Sequence, residues 1–213
     1  MSRIAIIDYG MGNLHSIAKA LEHVSTRDRV VVSGDPGVLR GADRLVFPGV
    51  GAIGDCMGEL QRLALDEVIR EAVRSRPVLG ICLGMQALLE ASDENDGVEC
   101  LGLLRGRIRR FDAGAGDQGR RLRVPHMGWN QVVPVVEHPL WTGIEPGSRF
   151  YFVHSYYAPA DSEGVAATTD HGLRFASALA AENLFAVQFH PEKSQHAGLA
   201  LLRNFVNWDG EVL

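Results

Sequence analysis

Pro77-Val78-Leu79-Gly80-Ile81-Cys82-Leu83-Gly84-Met85-Gln86 is an apolar run that meets a cysteine flanked by glycines. Pro77–Ile81 has the length and composition of a buried strand. Leu83–Ala91 has helical spacing through Leu83, Ala87 and Leu88, so Cys82 stands where a strand gives way to a helix. Such a turn lifts the side chain at its apex above the sheet, and it needs small neighbours, which Gly80 and Gly84 supply. The positive end of the following helix favours a thiolate there. With three Cys and 24 Gly in 213 residues, G-x-C-x-G is expected by chance about 0.04 times. An inert cysteine beside packing glycines is the alternative reading.

Upstream, strand and helix signals alternate. Arg3–Asp8, Arg29–Ser33 and Arg44–Phe47 read as short strands, the last ended by Pro48-Gly49. Asn13–Val24 reads as a helix with Asn13 as N-cap, and Asp55–Arg74 as one helix or a broken pair. Apolar strands interleaved with helices predict an α/β fold, a mainly parallel central sheet with helices on both faces. Downstream the pattern changes. Gly106–Phe111, Trp129–Val136, Arg149–His154, Gly164–Thr169, Phe175–Ala180 and Leu184–Phe189 read as strands separated by turn residues, which predicts antiparallel additions. Ser194–Trp208 closes the chain as an amphipathic helix, and Gly114–Arg121 reads as a flexible loop. The length suits one domain spanning 1–213.

A net charge of −5 and a pI near 5.9 argue against a nucleic-acid-binding protein. Arg105, Arg107, Arg109, Arg110, Arg120, Arg121 and Arg123 form the one basic run, read as a solvated face or an anionic partner surface. The apolar run Ile4–Ile7 meets Asp8 too soon for a signal peptide or a membrane span, which predicts a cytoplasmic protein. Cys56, Cys82 and Cys100 have no C-x-x-C spacing, so neither disulfides nor a zinc site is expected; no histidine cluster has metal spacing, and no cofactor is expected.

A thiol of ordinary acidity needs a base. Phe189-His190-Pro191-Glu192 follows the apolar run Leu184–Val187 at another predicted strand end. Strand carboxyl ends in a parallel sheet are where ligands bind, so His190 can meet Cys82, with Glu192 fixing the imidazole tautomer.

Gly80–Gln86 together with His190-Pro191-Glu192 resembles the class I, triad-type glutamine amidotransferases. Asp8-Tyr9-Gly10-Met11-Gly12-Asn13, Pro48-Gly49-Val50-Gly51, Pro125-His126-Met127-Gly128-Trp129-Asn130 and Tyr151-Phe152-Val153-His154-Ser155-Tyr156 extend the likeness along the chain. The resemblance implies a flavodoxin-like fold and hydrolysis of glutamine to glutamate and ammonia through a cysteinyl thioester. Cys82 is then the nucleophile, His190 its base and Glu192 the group that orients it. It implies oxyanion or substrate contacts at Gly49, Val50, Gly51, Leu83, Gln86, Ser155 and Tyr156. The peptide at Val50 would turn to present its N–H. It further implies a (β/α)8-barrel cyclase subunit as partner, forming a heterodimer that takes up the ammonia in histidine biosynthesis. Asn13, Met127, Trp129, Tyr151 and Lys193 are implied as partner-facing, although packing or plain exposure explains each almost as well.

The Gly10-Met11-Gly12-Asn13 stretch lacks the third glycine and the lysine of nucleotide loops. His15, His23, His138, His171 and His196 read as surface or helix residues, His154 as structural, and His126 stays open. Competing readings are a glutaminase of another pathway, a catalytically silent subunit, and a cysteine redox sensor or peptidase.

Overall fold

The computed structural model describes residues 2–114 and 122–211. Its first half runs β1 (Arg3–Ile7), α1 (Leu14–Val24), β2 (Arg29–Ser33), α2 (Pro36–Arg40), β3 (Arg44–Gly49), α3 (Ile53–Arg62), α4 (Leu65–Ala72), β4 (Val78–Cys82) and α5 (Leu83–Gln86). Then come β5 (Ala91–Ser92), β6 (Val98–Glu99), β7 (Arg107–Arg110), β8 (His126–Gln131), β9 (Val133–Pro134), β10 (Arg149–His154), β11 (Tyr156–Pro159), β12 (Val165–Asp170), β13 (Arg174–Ala181), β14 (Leu184–Val187) and α6 (Gln195–Asn207). The loop expected at Gly114–Arg121 lies, beyond Gly114, outside the described residues, as do Arg120 and Arg121.

The parallel block has the order β2-β1-β3-β4-β14. This is the flavodoxin-like order of doubly wound sheets. From β14 the sheet continues antiparallel through β13, β11 and β7, while β8 and β10 form a separate two-stranded ribbon. Alternation along each strand feeds two cores. Ala5, Ile7, Leu45 and Phe47 pack on the side of α3 and α4, among Ile53, Leu60, Val68 and Ile69. Ile4, Ile6, Val46 and Leu79 face α1 and α6, among Ile17, Leu21, Leu201 and Phe205. Both faces are therefore covered, as the apolar strands require.

The span 55–74 is a broken pair of helices, one of the two readings of the sequence: α3 starts earlier, at Ile53, and Ala64 between them takes φ 54, which ends the first helix and redirects the chain. Two further features differ from the sequence reading. The short α2 was unforeseen, although Asp35 caps it by accepting from the Val38 N–H with Pro36 behind it. The helix after Cys82 is one turn long. Its continuation is cut because the carbonyls of Ala87, Leu88, Leu89 and Glu90 accept from Leu101, Leu103, Leu104, Gly102 and Cys100 of the returning chain. A helix ladder and these cross-chain bonds compete for the same acceptors.

Glycines set the closest approaches. A Cβ on Gly84 would lie 1.9 Å from the Phe47 carbonyl oxygen, whereas one on Gly58, on the exposed side of α3, would meet nothing within 4 Å. Chemical denaturation is thus expected to find Gly84→Ala destabilised by about 3 kcal/mol or more. Gly58→Ala should be stabilised by about 0.5–1 kcal/mol.

Candidate active site

The carboxyl ends of β3, β4 and β14 converge. Gly49 pairs with Cys82, and Ile81 with Val187. Cys82 adopts φ 54 and ψ −108, outside the regions an L-residue ordinarily occupies. The turn is possible because both flanking glycines are crowded. A Cβ on Gly80 would meet Ala186 and Leu88 at 3.0 Å, and one on Gly84 the Phe47 carbonyl.

Three residues beyond the end of β14 at Val187, His190 is buried and its Nδ1 lies 2.8 Å from Glu192 Oε1. That bond makes Nδ1 the donor and turns Nε2 away from the carboxylate. Nε2 has no hydrogen-bond partner among the described residues, and Cys82 is the neighbour that does most to favour the protonated ring. The main chain fixes the ring's position: the His190 N–H donates to Tyr151 O, and its carbonyl accepts from the Ser194 hydroxyl. Burial alone would make the imidazole less basic, but the Cys82 sulfur and then the Glu192 carboxylate outweigh it and raise its pKa to about 10. Cys56 and Cys100 are the opposite case. Burial pushes their thiols up to about 12 and 11, which leaves them poor nucleophiles at neutral pH.

A cavity of about 440 Å³ opens over the sulfur, lined by Val50, Gly51, Cys82, Leu83, Gln86, Ser155 and Tyr156 among others. These expected oxyanion and substrate positions are thus gathered around one space. Gly49 lies just beneath, where a much smaller cavity also touches Val50, His190, Glu192 and Asn13. The first-turn N–H of Leu83 is free of any intrahelical acceptor, as at every helix start. At the end of β3, Gly51 has φ +103 and Val50 is 40% exposed.

Sequence reasoning missed three contributors. Tyr9 donates its hydroxyl hydrogen to Pro48 O at 2.9 Å, which pins the peptide just before the Gly49–Gly51 segment. Gln188 is fully buried and donates from Nε2 to Cys82 Sγ at 3.6 Å. A polar residue inside the apolar run Leu184–Phe189 was its visible signal. Glu94 also lines the large cavity and caps α3 by accepting from Ile53 N–H. Gln86 differs in detail from the expectation: its Nε2 already donates to Tyr156 O and to Gln188 Oε1.

Of the positions expected to face a partner, Trp129, Tyr151 and Lys193 come together. The Trp129 and Tyr151 rings meet edge-on at 6.3 Å, and Lys193 Nζ lies 5.8 Å over the Tyr151 ring. Met127 shares the exposed face of β8 with Trp129, at 62% and 41% exposure, and Asn13 caps α1. Arg105, Arg107, Arg109 and Arg110 are exposed around buried Ile108, with Arg107 paired to Asp93. His138, expected at the surface or in a helix, is instead buried: it caps a short 3-10 turn by accepting from Leu140 N–H and packs on Phe185 and Trp208. Among the described residues no group of three or more His, Cys, Asp or Glu is placed to hold a metal, and no helix is long and apolar enough to cross a membrane.

A strained cysteine beside a buried imidazole–carboxylate pair, on a flavodoxin-like sheet, defines a thiol-dependent amide hydrolase. The glutamine amidotransferase class-I family model matches residues 5–208, and the chain belongs to that family. Within it, the chain is 60% identical to imidazole glycerol phosphate synthase subunit HisH 1 of Pseudomonas aeruginosa, and the match spans 99% of both chains. It is 59% identical to the subunit HisH of Nitrosococcus oceani, again over 99% of each. Among solved structures it is similar to PurLQS from Thermotoga maritima, with TM-score 0.72 and 20% identity over 97% of this chain and 99% of that one, a likeness of fold.

The imidazole's raised basicity has a checkable consequence. A histidine whose folded pKa exceeds its unfolded value adds stability that is complete below 6.5 and is lost as pH rises through about 10. Isotope-edited NMR titration is expected to show the His190 midpoint lowered in Glu192→Gln and lowered further in Cys82→Ser. An unchanged midpoint in both would contradict the pairing.

Proposed function

We propose that this chain is the glutaminase subunit of imidazole glycerol phosphate synthase, acting as one glutamine amidotransferase domain over 1–213. The observation that carries the chemistry is the buried His190–Glu192 pair set against the sulfur of Cys82 at the floor of an amino-acid-sized cavity. Identity of about 60% along the whole chain to subunits of that synthase supports the assignment to histidine biosynthesis.

In this reading, Cys82 Sγ attacks the side-chain amide carbon of glutamine, and the carbonyl π electrons move onto oxygen. That oxyanion needs preorganised N–H donors. Leu83 N–H supplies one. The second comes from Val50 N–H after the Gly49–Val50 peptide turns, a motion made easy by glycines on both sides and confined by the Tyr9 anchor on Pro48 O. His190 gives its proton to the departing nitrogen and ammonia leaves, with a γ-glutamyl thioester left on Cys82. Water then attacks the thioester as His190 takes its proton, and glutamate and the free thiol are released. Glu192 keeps the imidazole's Nδ1–H engaged throughout, so that Nε2 always faces the reacting atoms. Gln86 and the backbone of Ser155 and Tyr156 position the substrate.

Ammonia is protonated in water and thereby loses its nucleophilicity, so direct delivery is an advantage. We place the receiving partner, a (β/α)8-barrel cyclase subunit in a heterodimer, against Asn13, Met127, Trp129, Tyr151 and Lys193. Exposed apolar Met127 and Trp129 support this face as the contact. A cytoplasmic location fits such a biosynthetic pair.

Two assays test the proposal. Cys82→Ala should lower glutamine-dependent ammonia release by 10³-fold or more, roughly the loss typical of removing a nucleophile. A glutamine-mimicking electrophile should label Cys82 and neither Cys56 nor Cys100. Ammonia release from the wild-type chain should rise when the barrel subunit and its ligand are added. Equal rates with and without the partner would remove the proposed turn of the Val50 peptide from the mechanism.

A further inference from the structure

His126 and His154 face each other across the ribbon of β8 and β10, both buried, and neither has a role in the chemistry above. Donor and acceptor accounting fixes the direction of the bonds they make. Asn130 Oδ1 accepts from Gln131 N–H, so Asn130 Nδ2 is the donor end. Its two hydrogens go to Asp170 O and, at 3.1 Å, to His126 Nε2, which must therefore be unprotonated. His126 Nδ1 then carries the proton and donates to His154 Nε2 at 2.9 Å. His154 Nδ1 in turn donates to Tyr156 O at 2.7 Å, an oxygen that can only accept. Reading from either end gives the same tautomers.

The chain does not stop there. Tyr156 O also accepts from Gln86 Nε2 at 3.1 Å, and Gln86 Nε2 donates to Gln188 Oε1 at 2.9 Å. Gln188 Oε1 is thereby held toward Gln86, and its Nε2 toward the Cys82 sulfur at 3.6 Å. Tyr156 O has both lone pairs engaged, so it serves as a fixed post between the two halves.

We propose that His126 and His154 are positioning residues which, through the Tyr156 carbonyl and Gln86, hold Gln188 as the hydrogen-bond donor that stabilises the Cys82 thiolate. The relay runs from β8, the strand whose other face carries Met127 and Trp129, to the nucleophile. An extra proton on either histidine would set donor against donor. Both imidazoles are in fact driven down to about 3, mainly by burial, so the relay stays in one protonation state across the working range. His171, stacked on His126 at 4.0 Å, and Phe111, Phe152 and Phe175 pack around the pair and exclude water.

The inference rests on the reading of Cys82 as a nucleophile, but its test needs no glutamine. The rate of Cys82 alkylation by iodoacetamide, followed against pH and assigned by mass spectrometry, reports the thiolate directly. Wild type is compared with His126→Phe, His126→Asn and Gln188→Met in the full-length chain. A hydrogen bond to a charged acceptor is worth enough that Gln188→Met should slow alkylation at pH 7 about tenfold. The same variant should move the profile to higher pH. His126→Phe should shift it in the same sense by about three- to tenfold, and His126→Asn, which keeps a donor toward His154, should stay within about twofold of wild type. A folded His126→Phe with the wild-type profile overturns the relay, as does Gln188→Met with that profile, or His126→Asn shifted as far as His126→Phe. If His126→Phe does not melt cooperatively, Asn130→Ala at the half-buried rim decides: a shift to higher pH supports the relay and none overturns it. A chain that alkylates as expected yet releases no ammonia would sink the glutaminase reading alone.

Discussion

The φ of 54 and ψ of −108 at Cys82 hold a non-glycine residue where backbone and Cβ crowd each other. Such a conformation costs on the order of 1–3 kcal/mol and persists only when its surroundings leave no alternative. Here the constraint comes from above and below. Gly84 presses its Cα onto the Phe47 carbonyl, and Gly80 sits against Ala186 and Leu88, so the turn cannot relax toward either neighbouring strand. The imidazole side is held by the same device. A Cβ on Gly198 of α6 would lie 1.9 Å from the Pro191 carbonyl, so the helix closes directly on the His190-Pro191-Glu192 turn. Thiol and imidazole thus sit on separate turns, each clamped by a glycine against a carbonyl oxygen, and the parallel pairing of β4 with β14 sets the distance between them.

Electrostatics then decides what those groups can do. Burial works against charge on all of them, and it wins at Cys56, Cys100, His126, His138 and His154. Among the four buried histidines of the described residues it loses at His190, which has a sulfur on one side and a carboxylate on the other. The charge on His190 in turn helps to keep His154 neutral. One cationic imidazole beside a neutral pair is therefore a self-consistent arrangement: the same burial that would defeat an isolated ion strengthens a compensated one.

Much of this was legible before any coordinates, for identifiable reasons. Parallel strands buried on both faces read as plain apolar runs, so β1 and β4 were found nearly to the residue, and the half-exposed edge strand β2 was found through its Val30-Val31-Val32 run. The predicted nucleophile, base and carboxylate lie at strand ends, where motif and topology point the same way. What escaped notice depended on long-range partners. The helix after Cys82 stops after one turn because chain some 15 residues later takes its carbonyls. Tyr9 and Gln188 matter through contacts 39 and 106 residues away in sequence, and no local period encodes them. His126 had an open reading for the same reason: only its pairing across the ribbon with His154, 28 residues on, gives it a partner.

Cys82, His190 and Glu192 bring three ionisable side chains together away from water, where each polar atom needs a partner. Gln188 supplies one to the sulfur, yet Glu192 Oε2 is buried with no hydrogen-bond partner among the described residues. Glu192 borders the same small cavity as Pro48, Gly49 and Val50, the segment proposed to turn an N–H toward the reacting oxygen, and Asn13 at the start of α1 lines it too. The turn at Cys82 is clamped between β3 and β14 by Gly84 and Gly80, whereas the Gly49–Gly51 segment is held by Tyr9 through Pro48 O and borders the N-cap of α1. The two are fixed by different contacts, so a change at the Val50 peptide need not release the turn at Cys82.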